Sequence, residues 1–168
     1  MKLLSPLRYP GGKAGLTPFL TDVLDLNDLR GVDYFEPYAG GAGAALGLLG
    51  DNVVNTISIN DSDIRIYAFW KTVLNEPQWF ADKILTAQLD LAEWRECRET
   101  CDSPRNKPLR EIGFSSFYMN RCNRSGVKML AQSADTSNRA SGALTYVSLD
   151  LLWLSALFKS LVFESASL

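Results

Sequence analysis

The sequence predicts an α/β fold organised around a nucleotide-binding βαβ unit, and three observations predict it. A short apolar run at residues 32–35 opens into the loop Glu36-Pro37-Tyr38-Ala39-Gly40-Gly41-Ala42-Gly43. A helix-like stretch at 44–49 and the turn Gly50-Asp51-Asn52 follow. A second strand, at 53–59, is rich in β-branched residues and ends at Asn60-Asp61. Strand, glycine loop, helix, strand and acidic residue, in that order, is the pattern of a mononucleotide-binding unit with a parallel sheet.

The flanking elements fit the same class. Before the first strand, Leu16, Phe19, Leu20, Val23 and Leu24 recur at helical spacing, so a helix is expected over 16–29, stopped by Gly31. Residues 64–74 form a helix after Asp61. Pro77 sits where a helix can start, and Phe80, Ile84, Ala87, Leu91 and Trp94 continue as one amphipathic stripe of core-packing type. A polar break at 102–108 precedes a short helix at 109–119. After Val127 the pattern loosens. Residues 144–163 are apolar for most of their length, but Asp150 and Lys159 lie inside and each is costly in lipid. A buried helix or strand is expected there, not a membrane span.

Bulk properties narrow the function classes. The chain has 168 residues and a formal net charge of −2, so any nucleic-acid contact has to come from a local basic patch. It has no histidine and three cysteines, Cys97, Cys101 and Cys122. That removes Ser-His and Cys-His nucleophile systems and argues against a zinc site, so no metal is expected. Thiols in odd number and a start too short and proline-broken for a signal peptide predict a cytoplasmic protein with reduced cysteines.

Three loops can carry chemistry. In the first, Gly40-Gly41-Ala42-Gly43 lets a ligand approach the backbone at a helix start. Asp61 stands 18 residues beyond Gly43, where a carboxylate can accept hydrogen bonds from ribose hydroxyls. A tight turn without ligand is the plain alternative, and the pair together favours a small nucleotide: nicotinamide dinucleotides and S-adenosylmethionine both fit. The second, Arg8-Tyr9-Pro10-Gly11-Gly12-Lys13, is not a P-loop, because Leu7 and Ala14 stand where glycine and Ser or Thr are required. It is either a surface turn or a lysine placed to meet a carboxylate. The third, Phe117-Tyr118-Met119-Asn120-Arg121-Cys122-Asn123-Arg124-Ser125-Gly126, lies in a basic stretch. Arg105, Lys107, Arg110, Arg121, Arg124 and Lys128 are offset there by Glu111 alone. Such side chains can contact phosphates and base edges, and a solvated helix and loop is the alternative.

Taken in order, these segments resemble the Dam-like DNA adenine methyltransferases. Residues 8–13 are similar to that family's aromatic-x-Gly-Gly-Lys motif. Tyr34-Phe35 and the loop up to Gly43 look like its Val-Glu-Pro-Phe-x-Gly-x-Gly motif. Ile59-Asn60-Asp61 looks like its Asn-Asp motif, and 117–126 resembles its Asn-Arg-x-x-x-Asn-Gly region. The resemblance spans about residues 5–127 and implies a Rossmann-like S-adenosylmethionine-dependent methyltransferase core, incomplete in this chain, with a helical DNA-contacting insertion. It implies that residues 1–75 form the S-adenosylmethionine-binding part and 76–127 the DNA-recognition insertion, with a tail at 128–168 unlike the family. It further implies that Tyr9 and Lys13 contact the cofactor, Lys13 at its methionine carboxylate. Glu36, Pro37, Ala39, Gly40, Gly41 and Gly43 would surround the methionine part, and Asp61 would bind the ribose. Asn120, Arg121, Asn123 and Arg124 would lie toward duplex DNA.

One departure bears on catalysis. Enzymes of this family flip adenine out of the duplex, and an Asp-Pro-Pro-Tyr motif orients and stacks on the base. No Asp-Pro-Pro or Asn-Pro-Pro occurs in this sequence, whose last proline is Pro108. The catalytic residues are therefore unassigned. The expectation is an adenine-specific DNA methyltransferase chain, truncated or out of frame after about Val127 and inactive alone. The alternatives are a cofactor- or DNA-binding module without catalysis and, third, a nicotinamide-dependent oxidoreductase.

Overall fold

The computed structural model describes residues 5–123. The chain divides into two units between Asp63 and Ile64.

In the first unit, a 3-10 turn at Lys13–Leu16 leads into α1 (Thr17–Leu26), with Pro18 in its first turn, where a missing N–H costs nothing. α1 is shorter than the expected 16–29. The Leu29 N–H closes back on the Leu24 carbonyl at 2.8 Å, and Asp28 and Gly31 take φ of +55° and +75°, which a helix cannot continue through. β1 (Asp33–Glu36), α2 (Gly43–Gly50) and β2 (Thr56–Ile59) follow. The two strands pair in parallel, Asp33 opposite Thr56 and Glu36 opposite Ile59. β2 covers less than the expected 53–59 because the Val53 N–H bonds to the Leu48 carbonyl at 2.9 Å and closes α2 instead. Val53 and Val54 are spent in the core with Leu48, against which Leu20, Leu24, Val32, Tyr34 and Ile57 pack.

The second unit consists, among the described residues, of α3 (Ile64–Asn75), α4 (Pro77–Thr86), α5 (Leu91–Asp102) and α6 (Leu109–Cys122). The amphipathic stripe at 80–94 is two helices. Ala87 is extended, with ψ of 133°, and Asp90 starts α5 by accepting the Glu93 N–H at 2.9 Å, as an N-cap carboxylate does. The inward face of α5 is therefore Cys97, Thr100 and Cys101, while Leu91 is exposed. α6 is buried from Ile112 to Arg121. It lies close against α3, where a Cβ at Gly113 would come within 2.6 Å of the Ala68 carbonyl oxygen. Phe69, Phe80 and Phe117 interlock above that contact at centroid separations of 5.6 to 5.9 Å, in edge and stacked arrangements that aromatic quadrupoles favour.

The protein is thus an α/β protein, mostly helical, with a small parallel sheet of two strands among the described residues.

Candidate functional site

Parallel strands bring the ends of β1 and β2 to one edge of the first unit, where loops of α/β proteins bind ligands. The Asn60 N–H bonds to the Glu36 carbonyl at 3.0 Å, and the Ala39 N–H bonds to the Asn60 carbonyl at 2.9 Å. Pairing therefore runs on past the strands and draws the two loops together. Asp61 completes the closure. Its Oδ2 accepts the Gly40 N–H at 2.8 Å and its Oδ1 accepts the Asp63 N–H at 2.9 Å. The carboxylate is only half-buried, and each oxygen retains a lone pair for a further donor.

Glu36 is buried at the end of β1. Its Oε2 accepts the Ala45 N–H at 3.1 Å in the first turn of α2, so a negative charge meets the positive end of that helix. Lys13 neutralises it, donating from Nζ to Oε1 at 2.9 Å and also to the Tyr38 carbonyl. An ammonium has three donors, so this leaves Lys13 one for a ligand. Burial, with the Glu36 charge adding to it, pushes the Tyr34 phenol above its ordinary pKa.

The glycines of the loop have a second use that their spacing did not reveal. The segment from Ser5 to Thr17 lies across them as a strap. A Cβ at Gly40 would come within 2.8 Å of the Tyr9 ring, one at Gly41 within 2.6 Å of Ser5 Oγ, and one at Gly43 within 2.9 Å of Ala14 Cβ. Gly47 in α2 meets Thr17 Oγ1 in the same way, at 2.4 Å. Gly40 also has φ of +51°, and Ala42, the N-cap of α2, has φ of +50°. A ligand that reaches the Gly40 backbone has to displace the Tyr9 ring.

The structure therefore gathers Tyr9, Lys13, Glu36, Ala39, Gly40, Gly41, Gly43 and Asp61 at one edge of the first unit, with Pro37 exposed beside them. Sequence reasoning missed the Ala45 amide and the Tyr38 carbonyl, which act through the backbone and leave no side-chain signal. It also missed Ser5 and Thr17, whose partners lie far along the chain.

The residues expected to face DNA stand differently. Asn120 is 2% exposed and Arg121 9%, the Arg121 guanidinium lying 5.4 Å from the Phe117 ring centroid. Asn123 is half-buried. Arg124 and Lys128 lie outside the described residues. Nearby, burial pushes the Cys97 thiol up to about 12 and the Cys122 thiol up to about 11, so both are neutral and unreactive near neutral pH. No helix among the described residues is long and apolar enough to cross a membrane, and no group of their His, Cys, Asp and Glu side chains is arranged to hold a metal.

No protein-family model and no curated protein matches the chain.

Proposed function

We propose that the chain is the cofactor-binding and DNA-facing part of a Rossmann-like, S-adenosylmethionine-dependent, adenine-specific DNA methyltransferase. The observation that supports this most is the closure of the glycine loop onto Asp61, a 2.8 Å bond between the loops at the ends of two parallel strands. The donor set fits the cofactor. Asp61 offers acceptors to a ribose diol, Lys13 a remaining N–H to a carboxylate, and Tyr9 an aromatic face above Gly40. S-adenosylmethionine, when bound, supplies the methyl group. The residues of this chain bind and orient it: Lys13 holds the amino-acid end, with Glu36 fixing the ammonium in place, and Asp61 holds the sugar.

Titration calorimetry tests the assignment. A hydrogen bond to a charged group contributes about 1.5–3 kcal/mol, so Asp61→Ala weakens S-adenosylmethionine binding roughly tenfold or more. Asp61→Asn, which keeps one acceptor for the Gly40 amide, separates loss of the ligand bond from loss of the loop. Equal affinity in wild type and both variants removes the site. Tighter binding of NAD than of S-adenosylmethionine moves the chain to the oxidoreductase reading.

A second reading, a binding module without catalysis, is favoured by the absence of Asp-Pro-Pro or Asn-Pro-Pro from the sequence. Orientation and electrostatic placement of that kind supply several kcal/mol of a rate enhancement. The folded chain incubated with labelled S-adenosylmethionine and unmethylated duplex is therefore expected to leave adenine unlabelled. Label accumulating over many turnovers reveals an acceptor set of different sequence.

A further inference from the structure

We propose that the outward stripe of α1, formed by Leu16, Phe19, Val23 and Leu26, is the contact surface of a weak dimer in which α1 packs antiparallel against α1 of a second copy of this chain. The inference is independent of the cofactor reading. α1 has two apolar faces. Leu20 and Leu24 lie against the core of their own unit. Leu16, Phe19, Val23 and Leu26 are turned to water, at exposures from 37% to 84%, and Leu16 is already in helical conformation as the N-cap. A surface helix ordinarily turns polar residues outward, and exposed apolar residues are ordinarily scattered singly. These four instead follow a 3-4-3 spacing, which is the spacing of a seam between two packed helices.

The stripe selects a second copy as its occupant. A twofold-symmetric interface requires a patch complementary to itself. The spacing is the same read in either direction, so reversal about Thr21 sets Leu16 against the partner's Leu26 and Phe19 against the partner's Val23. Each large ring then meets a smaller branched side chain, as interdigitating layers require. Antiparallel helices also place each positive helix end beside a negative one. No charge lies within the stripe. Of the two acids in α1, Asp25 is held by Arg30 at 2.5 and 2.9 Å. Asp22 is a surface neighbour of Phe19 and Leu26 and stands next to the symmetry point, so it lies near its own copy. That repulsion and a small area limit the affinity. At these exposures the four side chains hide roughly 400 Å² on each copy, against about 800 Å² in a standard interface. Dissociation on the order of 100 μM is expected. The same acid disfavours an anionic lipid surface as the occupant.

Sedimentation velocity of the full chain over a concentration series bracketing that value tests this. The sedimentation coefficient should rise with concentration as monomer passes to dimer. Phe19→Gln with Leu26→Gln, at exposed positions and with unchanged circular dichroism, should weaken association more than about tenfold. Phe35→Gln, which removes an equally exposed ring on the sheet, should leave it unchanged. Asp22→Asn should tighten the pair about twofold, and added salt should tighten it too. A basic helix as the occupant gives the opposite sign in both. Cross-linking reads the orientation. Leu16→Cys and Leu26→Cys chains should form a disulfide when mixed under mild oxidation. Neither should do so alone, because like positions lie about 15 Å apart along antiparallel helices. The proposal falls if the chain stays monomeric at every concentration or if the Phe19→Gln/Leu26→Gln chain associates like wild type. It falls equally if Phe35→Gln loses as much, if Asp22→Asn weakens association, or if either cysteine variant alone cross-links as fast as the mixture.

Discussion

In the helical unit, Phe69, Phe80, Phe114 and Phe117 are fully buried, whereas in the glycine-loop unit Phe19 and Phe35 are 62% and 65% exposed. The difference follows from architecture. Four helices can turn their apolar stripes onto one another and close a core. Two strands have two faces, and side chains alternate between them. Tyr34 reaches the core with Leu20, Leu24 and Leu48, and its neighbour Phe35 is turned to the other face. Parallel sheets are ordinarily covered on both sides. Among the described residues this one is covered on the side that α1 and α2 supply. The unit that carries the candidate site is therefore also the one with the smaller core, and its loops are tied by hydrogen bonds more than by buried area.

That contrast can be tested by substitution, starting from the largest effect. Phe117→Ala removes a ring that contacts Phe69 and Phe80, and should cost about 3–5 kcal/mol in chemical denaturation. A loss below about 1 kcal/mol means the helical core is looser than its packing indicates.

The buried thiols sharpen the same point. The ordinary value for Cys97 is 9.0, raised on folding to about 12. The folded state therefore holds the proton more tightly than the unfolded state does. Its contribution is fully present below pH 9 and is lost as pH rises toward 12. Stability should fall by on the order of 1 kcal/mol per pH unit across that window. Cys97→Ser, whose hydroxyl does not titrate there, should make the decline shallower, leaving the part that the raised Cys122 thiol contributes. A wild-type profile already flat from pH 9 to 10.5 rejects the assignment of a neutral, buried thiol.

The smallest effect belongs to the first unit. Phe35→Ser should change stability by no more than about 0.5 kcal/mol, as exposed positions do, while raising solubility by reducing exposed apolar surface. A cost comparable to that of Phe117→Ala means the outer sheet face is covered in solution.

Local pattern carried much of this architecture. The glycine turn, the β-branched run before Asn60-Asp61 and the helix after Asp61 are set by short-range preferences, and each element stands within a few residues of its expected place. The stripe at 80–94 gave no sign of its break, which the structure makes at extended Ala87 and caps with Asp90 accepting the Glu93 N–H.

What the sequence determined by itself was therefore the order of the elements and the residues available at the strand ends, because turns, caps and side-chain periodicity depend on neighbours along the chain. Tertiary structure decided which of those residues meet and which are left in water. Gly40 reaches Asp61 only because β1 and β2 pair in parallel, and its missing Cβ matters because Tyr9 folds back over it. Asn120 and Arg121 read as polar surface, yet α6 is enclosed because Gly113 lets α3 approach to backbone contact. Burial is a property of what packs against a helix, and no residue of that helix encodes it alone.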